Sequence, residues 1–303
     1  MKFLTSEEAD DLNKIEDSLQ HQFGKIRSIV RLIGGSRSFC FSVNNFVVRF
    51  PKDKVIWKTM KREKIIIDKI IPHLNTDLKK KVHKIELVEG IMPFSYLKKI
   101  HGKICDNRGE TTYSTLYKNL SDPRKEDLAR SLAQFLALMH KMDCKKIKIP
   151  RGTETIDSWD KSFVPDFDKN KVKNILFWIS NGKINLDDYQ PKKMNLEKAL
   201  CHNDLSGSNI LIDPNKKEIL QGIIDFGNAC IMPKYQDFFP LYKVNRELAL
   251  NTLNYYNNYF DKKIEKNQLD RMALSYIGYE LLKSKDKEIG PYFSRLLEPF
   301  LIR

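Results

Sequence analysis

Along the first hundred residues, the spacing of apolar positions changes period twice. Phe39, Phe41 and Val43 alternate with small or polar residues, Asn44-Asn45 suits a two-residue turn, and Phe46-Val47-Val48-Arg49-Phe50 returns. This predicts a β-hairpin, preceded by Gly34-Gly35-Ser36. From Ile56 to Leu74 the period becomes helical, with Ile56, Met60, Ile67, Ile70 and Leu74 on one face. Glu63 falls on that same face. A carboxylate in an apolar stripe needs a cationic partner, because burying it alone is costly. Arg49, on a strand face shared with Val47, is the natural candidate. Ile85 to Met92 reads as a further strand pair, and Thr5-Ser6-Glu7-Glu8 as a helix start with a hydroxyl cap and acids in its first turn.

Beyond residue 97 the helical period dominates. Leu128, Leu132, Phe135 and Met139 form a stripe within a helix expected from roughly Pro123 to Met142. A β-rich island interrupts at 199–225, and helices resume after Pro240, through Phe260 and again over Leu269–Leu282. The pattern predicts an α+β protein of two lobes, a small β-rich one (1–97) and a larger helical one (98–303), meeting near Phe94–Gly102.

Composition narrows the class. The 303 residues are 41% hydrophobic and 30% charged, which suits a globular chain and excludes collagen, low complexity and a disulfide scaffold. No apolar run is long enough to span a bilayer, and the N-terminus turns acidic where a signal peptide needs its apolar stretch. Cys40, Cys105, Cys144, Cys201 and Cys230 contain no C-x-x-C pair, so reduced thiols in the cytoplasm are expected rather than zinc or disulfides. The formal charge is +14, and between Lys52 and Lys103 there are 14 basic and 6 acidic residues. Such a field attracts anions, including nucleotides. Aromatics interleaved with the basic run, as a nucleic-acid platform needs, are missing, and neither nucleic acid nor a membrane is expected as a partner.

The island carries the chemistry. Leu200-Cys201-His202-Asn203-Asp204-Leu205-Ser206-Gly207-Ser208-Asn209-Ile210-Leu211-Ile212-Asp213 is followed, after a Pro214-Asn215 turn, by Ile219-Leu220-Gln221-Gly222-Ile223-Ile224-Asp225-Phe226-Gly227. Hydrophobic strands flank a turn, with polar residues at their ends. Phosphoryl transfer needs a carboxylate to orient and deprotonate a hydroxyl, and further oxygen ligands to hold magnesium on nucleotide phosphates. H-x-D-x-x-x-x-N followed by I-D-F-G resembles the eukaryotic-type protein kinase superfamily. The form His-Asn-Asp-Leu-Ser-Gly-Ser-Asn-Ile-Leu, with the helix segment Leu128–His140, resembles its aminoglycoside phosphotransferase and choline-kinase branch. Phe-Val-Val-Arg-Phe-Pro-Lys and the Lys99-Ile100-His101-Gly102 hinge are most similar to the aminoglycoside 2''-phosphotransferases. The resemblance runs through nearly the whole chain, although only residues 200–228 are strongly specific.

The resemblance implies a two-lobed, protein kinase-like fold and assigns roles by position. Asp204 becomes the catalytic base, Asn209 and Asp225 the Mg2+ ligands, and His202 a brace for the loop. Gly34, Gly35 and Ser36 stand where the superfamily has its glycine-rich phosphate loop, although a tight turn is the other reading. Arg49 occupies the place of a phosphate-binding lysine, with Glu63 as its partner and Lys52 or Lys54 as alternatives. Lys98 and Ile100 belong to the hinge that presents backbone groups to a purine, so the donor is ATP or GTP. The expected function is a nucleotide- and magnesium-dependent O-phosphotransferase acting on a small hydroxylated molecule, with aminoglycosides among the candidates. Asn228, Met232 and Lys234 stand where resistance kinases commonly carry aspartates, and Asp237, which remains, is more often structural. Glu247, Asp270 or Glu280 could restore acidity from the C-terminal helices. Two alternatives stand beside this reading. One is a kinase of a protein or other macromolecule, against which the missing A-P-E-terminated activation segment counts. The other is a nucleotide-binding regulatory pseudokinase, favoured by Arg49 and opposed by the complete Asp204, Asn209 and Asp225 set.

Overall fold

In the computed structural model, the described residues are 2–32, 37–105, 116–143, 169–189, 197–283 and 291–301. The period-two segments become β1 (Ile29–Leu32), β2 (Ser38–Val43), β3 (Phe46–Pro51), β4 (Ile85–Val88) and β5 (Phe94–Lys98). They form one antiparallel sheet in the order β1-β2-β3-β5-β4. The β2–β3 hairpin closes with Val43 opposite Phe46 and Asn44 at φ 50°, a left-handed conformation that asparagine tolerates. The strand pair expected over Ile85–Met92 is split and shifted: Gly90 and Pro93 lie in the turn, and the second strand begins at Phe94. Two N-terminal helices, α1 (Ser6–Asp10) and α2 (Leu12–Phe23), cover the sheet. A reciprocal capping box between Thr5 and Glu8 starts α1. Leu4, Ala9, Ile15 and Leu19 join Phe39, Phe41, Val43, Val48, Phe50 and Phe94 in the small lobe's core.

The helix-period segment is α3 (Lys54–Ile70), capped by Asp53, whose carboxylate accepts the N–H of Ile56 at 2.8 Å. Its buried face differs from the expected stripe by a small rotation. Trp57 is buried where Ile56 is only partly so, and Met60, Glu63, Ile66, Ile67 and Ile70 complete it. Pro72 has no N–H to continue the α-helical ladder, so α3 stops at Ile70, a 3-10 turn follows over Ile71–His73, and Leu74 is buried beyond it. Ile66, Ile67 and Ile70 belong to the large lobe's core, so α3 bridges both lobes.

The large lobe contains α5 (Asp122–His140), α6 (Lys169–Ile179), α7 (Phe238–Val244), α8 (Arg246–Asn257), α9 (Lys266–Lys283) and α10 (Pro291–Leu301), with a short α4 (Thr76–Lys79) before β4. The α5 stripe of Leu128, Leu132, Phe135 and Met139 is fully buried. Two short antiparallel arrays carry the island: β7 (Lys198–Cys201) pairs with β10 (Cys230–Pro233), and β6 (Lys103–Ile104), β8 (Ile210–Ile212) and β9 (Leu220–Ile223) form the other. Residues 202–209 leave β7 for β8, and residues 224–229 leave β9 for β10. Both segments therefore cross from one array to the other, and the pairing of their flanking strands sets them side by side. Among the described residues, no helix is long and apolar enough to cross a membrane.

Candidate active site

The two crossings are joined at Ile224. Its N–H donates to the carbonyl of Asn209 at 3.1 Å, and its own carbonyl accepts from His202 Nε2 at 3.1 Å. The other ring nitrogen, Nδ1, accepts the N–H of Asp204 at 3.3 Å, which fixes the tautomer. His202 is fully buried with its ring 4.6 Å from that of Phe226. One imidazole thus ties Asp204 to the residue that precedes Asp225. Asn209 Nδ2 donates to the Asp204 carbonyl at 2.8 Å, which orients the amide and leaves Oδ1 as its remaining acceptor. Asp225 (φ 64°) and Asn203 (φ 61°) are both left-handed, a conformation costing roughly 1–2 kcal/mol for an ordinary side chain. Such residues persist where surrounding contacts over-determine them, and they cluster at functional sites.

Those contacts come from two directions. Behind the 202–209 crossing lies Asp237, fully buried. Its Oδ1 accepts the Asn203 N–H at 2.7 Å, and its Oδ2 accepts the His202 N–H at 2.9 Å. His140 Nε2, at the end of α5, donates to Oδ2 at 3.0 Å, and His140 Nδ1 lies 2.8 Å from the hydroxyl of Tyr256 on α8. Two adjacent N–H groups held by one carboxylate keep Asn203 left-handed and aim the residue after it. The sequence flagged Asp237 as structural but not His140 or Tyr256, whose only signal is a polar group in or beside an apolar stripe.

In front of the 224–229 crossing lies α3. Glu63 Oε1 accepts the N–H of Phe226 at 3.1 Å, and Oε2 accepts from Arg49 Nη2 at 2.7 Å. Arg62 Nη2 donates to the carbonyl of Ala229 at 2.8 Å. A Cβ at Gly227 would stand 2.8 Å from Thr59 Cγ2, so only glycine lets the helix approach this closely. Burial pushes the Glu63 carboxyl up, helped by Asp225 and opposed by Arg49 and the Phe226 N–H. Burial opposes the Arg49 charge, but Glu63 and then Asp225 outweigh it and raise its pKa. With an always-charged guanidinium on one oxygen and an N–H on the other, Glu63 is held as an ion-pair partner. The charge pairing read from the sequence thus exists as a contact. Arg49 Nε also donates to Ser95 Oγ at 3.2 Å, a partner the sequence did not reveal.

Other candidates are distributed as follows. Gly34, Gly35 and Ser36 lie outside the described residues, as does the Glu280 side chain. The Lys98 carbonyl accepts from His83 Nδ1 at 2.9 Å, and Ile100 packs so closely on β9 that a Cβ at Gly222 would meet it at 2.6 Å. Lys52 stacks over the Phe39 ring, and Lys54 is exposed at the start of α3. Lys234, which the sequence placed among the acceptor-facing positions, is buried instead. It pairs with Glu197 at 2.7 Å and lies 4.0 Å over the Phe260 ring, because β7–β10 pairing brings these segments together. Asp270 is buried against Arg246 and Tyr242, and the N–H of Glu247 is capped by Asn245 at the start of α8. Asp270 is thus committed inside the helical lobe.

The donors left at the crossings are all oxygen: the Asp225 and Asp204 carboxylates and Asn209 Oδ1. A hard-oxygen set within reach of the Arg49 charge suits magnesium and not a thiophilic metal. His140, Cys201 and Asp237 also lie close together, but they are buried behind the crossing and already hydrogen-bonded.

Fold and site together define a two-lobed, kinase-like phosphotransferase. A family model described as the phosphotransferase enzyme family matches residues 42–271, and the chain belongs to that family. Solved structures share its fold. The GDP complex of wild-type aminoglycoside 2'-phosphotransferase-IIIa is 22% identical, covers 95% of this chain and 97% of its own, and superposes with a TM-score of 0.65. The streptomycin–ATP ternary complex of APH(2")-IIa is 20% identical over 100% of this chain and 98% of its own, with a TM-score of 0.60. The apoenzyme of macrolide 2'-phosphotransferase MphH from Brachybacterium faecium is 13% identical over 92% and 94%, with a TM-score of 0.63.

Proposed function

We propose that this chain moves the γ-phosphate of a nucleoside triphosphate to a hydroxyl of a small molecule, with Asp204 as base. The observation that carries the reading is that Ile224, the residue before Asp225, is bonded to Asn209 through its N–H and to Asp204 through His202 at its carbonyl, which sets the three side by side. The small lobe, residues 1–97, takes the nucleotide, and residues 98–303 take the acceptor. The Lys98–Ile100 linker offers backbone groups to the purine, and Gly34, Gly35 and Ser36 are assigned to the phosphates by their place in the sequence. Arg49, braced by Glu63, neutralises phosphate charge. Asn209 Oδ1 and the Asp225 carboxylate would hold magnesium, which when bound offsets charge on the nucleotide phosphates. Asp204 accepts the hydroxyl proton as the acceptor oxygen attacks phosphorus in line. The new O–P bond forms as the bond to the β-phosphate breaks, releasing the nucleoside diphosphate. Positioning and charge neutralisation supply most of the rate. ATP and GTP both fit a donor read by backbone, and such a donor agrees with a cytoplasmic enzyme.

The relatives' names point to aminoglycosides and macrolides as acceptor classes. Lys234 is neutralised by Glu197 and so does not repel a cationic acceptor; Asp270 turns inward and does not attract one. Charge at these positions therefore leaves both classes open. The test offers ATP and GTP with aminoglycosides, macrolides, choline-like amino alcohols, sugars and a generic protein, read by mass spectrometry. One added phosphate on a small molecule, lost in Asp204→Asn with nucleotide binding retained, is the expected result. Turnover by Asp204→Asn equal to wild type would remove Asp204 as base, and transfer to the protein alone would favour the macromolecular reading.

A further inference from the structure

Among the described residues, the hydrogen bonds of Arg49 run through one edge of its guanidinium. Nε donates to Ser95 Oγ at 3.2 Å and Nη2 to Glu63 Oε2 at 2.7 Å. Nε and Nη2 lie on the same side of the planar group, so this side-on edge faces Ser95 and Glu63. The end-on edge, formed by Nη1 and the second hydrogen of Nη2, is a separate pair of parallel donors. The Arg49 side chain is 15% exposed, so it is not sealed in, and its charge is felt by Asp225 across the cleft.

Ser95 is built for this contact. It is fully buried on β5, directly opposite Arg49 in the β3–β5 register. Its hydroxyl donates to Met60 Sδ at 3.5 Å, which turns its lone pairs toward Nε. A lysine at position 49 could still reach Glu63, but it carries no Nε to meet Ser95. The serine therefore matters only beside an arginine.

We propose that Ser95 is a positioning residue that fixes the plane of the Arg49 guanidinium, so that its Nη1–Nη2 edge meets the nucleotide phosphates as a two-pronged donor. The inference rests on the reading of Arg49 as a phosphate-binding group. It accounts for how arginine serves where the related enzymes are expected to carry lysine: the serine converts a flexible cation into one with a set orientation.

The test is a cycle of Ser95→Ala, Arg49→Lys and the double variant, with Arg49→Ala and Ser95→Thr alongside. Binding of MgATP and MgGTP is measured by calorimetry, KM and kcat by turnover, and folding by thermal melting. Ser95→Ala should weaken nucleotide binding about five- to ten-fold, the scale of one ordinary hydrogen bond's net contribution. In the Arg49→Lys background the same change should alter binding by less than about two-fold. The nucleotide KM should rise while the acceptor KM stays fixed, and Ser95→Thr, which keeps the hydroxyl, should restore binding. The Arg49 Nε–H resonance should lose its protection from solvent exchange in Ser95→Ala. Equal effects of Ser95→Ala in both backgrounds, or wild-type binding by Ser95→Ala, would overturn the positioning role. Wild-type nucleotide binding by Arg49→Ala would instead overturn Arg49 as the phosphate group, and the inference with it.

Discussion

Replacing Asp237 by asparagine tests whether one buried carboxylate holds the loop that carries Asp204. Asp237 accepts three hydrogen bonds: the N–H of Asn203 at 2.7 Å on Oδ1, and the N–H of His202 at 2.9 Å and His140 Nε2 at 3.0 Å on Oδ2. Asparagine preserves the volume but offers one oxygen and sets an N–H₂ against a donor. The least damaging orientation turns Nδ2 toward Asn203, whose buried N–H then faces another donor. An orphaned buried donor costs about 1–3 kcal/mol, and weakening two charge-assisted bonds to neutral ones costs roughly another 1 kcal/mol. The expected loss is therefore about 3 kcal/mol in urea unfolding, within the stability of an ordinary folded domain. Activity should suffer more. Freed from Asp237, Asn203 can leave its left-handed conformation at φ 61° and carry Asp204 with it, and a displacement of about 1 Å costs on the order of 100-fold in rate. Nucleotide binding should remain near wild type, because Arg49, Glu63 and Asp225 are anchored from α3. A loss below about 1 kcal/mol together with wild-type kcat would refute the argument.

The other consequences concern the opposite anchor and Asp225. Since burial raises the Glu63 carboxyl, the acid limb of nucleotide kcat/KM should lie above the usual carboxylate range, and Glu63→Gln should remove that limb in a pH–rate profile. The linked stability has the opposite sign: with a raised folded pKa, this group's contribution is full below its unfolded pKa and is lost as pH rises through the folded value, which denaturation across pH will read. Gly227→Ala brings a Cβ to 2.8 Å from Thr59 Cγ2 and should destabilise by about 1–3 kcal/mol, with Thr59→Ser recovering most of it in thermal melts. Asp225→Ala should weaken magnesium–nucleotide binding itself in calorimetry, and undiminished binding would remove that residue from the metal site.

Much of this architecture is legible locally. The hairpin follows from alternation around Asn44-Asn45, and the α5 stripe predicts a fully buried face. Glu63 announces its need for a cation because it interrupts an apolar helix face, and Arg49 meets it at 2.7 Å. The features that escape the sequence depend on pairing between distant strands. Ser95 is an unremarkable small residue in an alternating strand until the β3–β5 register sets it opposite Arg49. Lys234 reads as a basic residue facing an acceptor until β7 and β10 pair and bring Glu197 to it. The expected face of α3 holds at Met60, Glu63, Ile67 and Ile70; at its start Trp57 is buried in place of Ile56, because both are apolar and hydrophobicity alone does not choose between them.

The two crossings are braced by different elements, one of them within the large lobe and the other the helix that bridges both lobes. The loop bearing Asp204 is fastened to the large lobe through Asp237, His140 and Tyr256. The turn bearing Asp225 is fastened to α3 through Glu63, Arg62 and the close approach of Thr59 to Gly227. Ile224 joins them with two hydrogen bonds, and the Asn203 amide adds a long one to the Asn228 carbonyl at 3.4 Å. Under the proposed roles, the acid read as a metal ligand is held by the helix that reaches the small lobe, and the acid read as base is held by the large lobe. The fully buried His202, with Nδ1 on its own crossing at Asp204 and Nε2 on the other at Ile224, limits how far the two can part. Phosphoryl transfer asks for that combination under the proposed reading, in which donor and acceptor bind to different lobes and must meet in line to within about 1 Å.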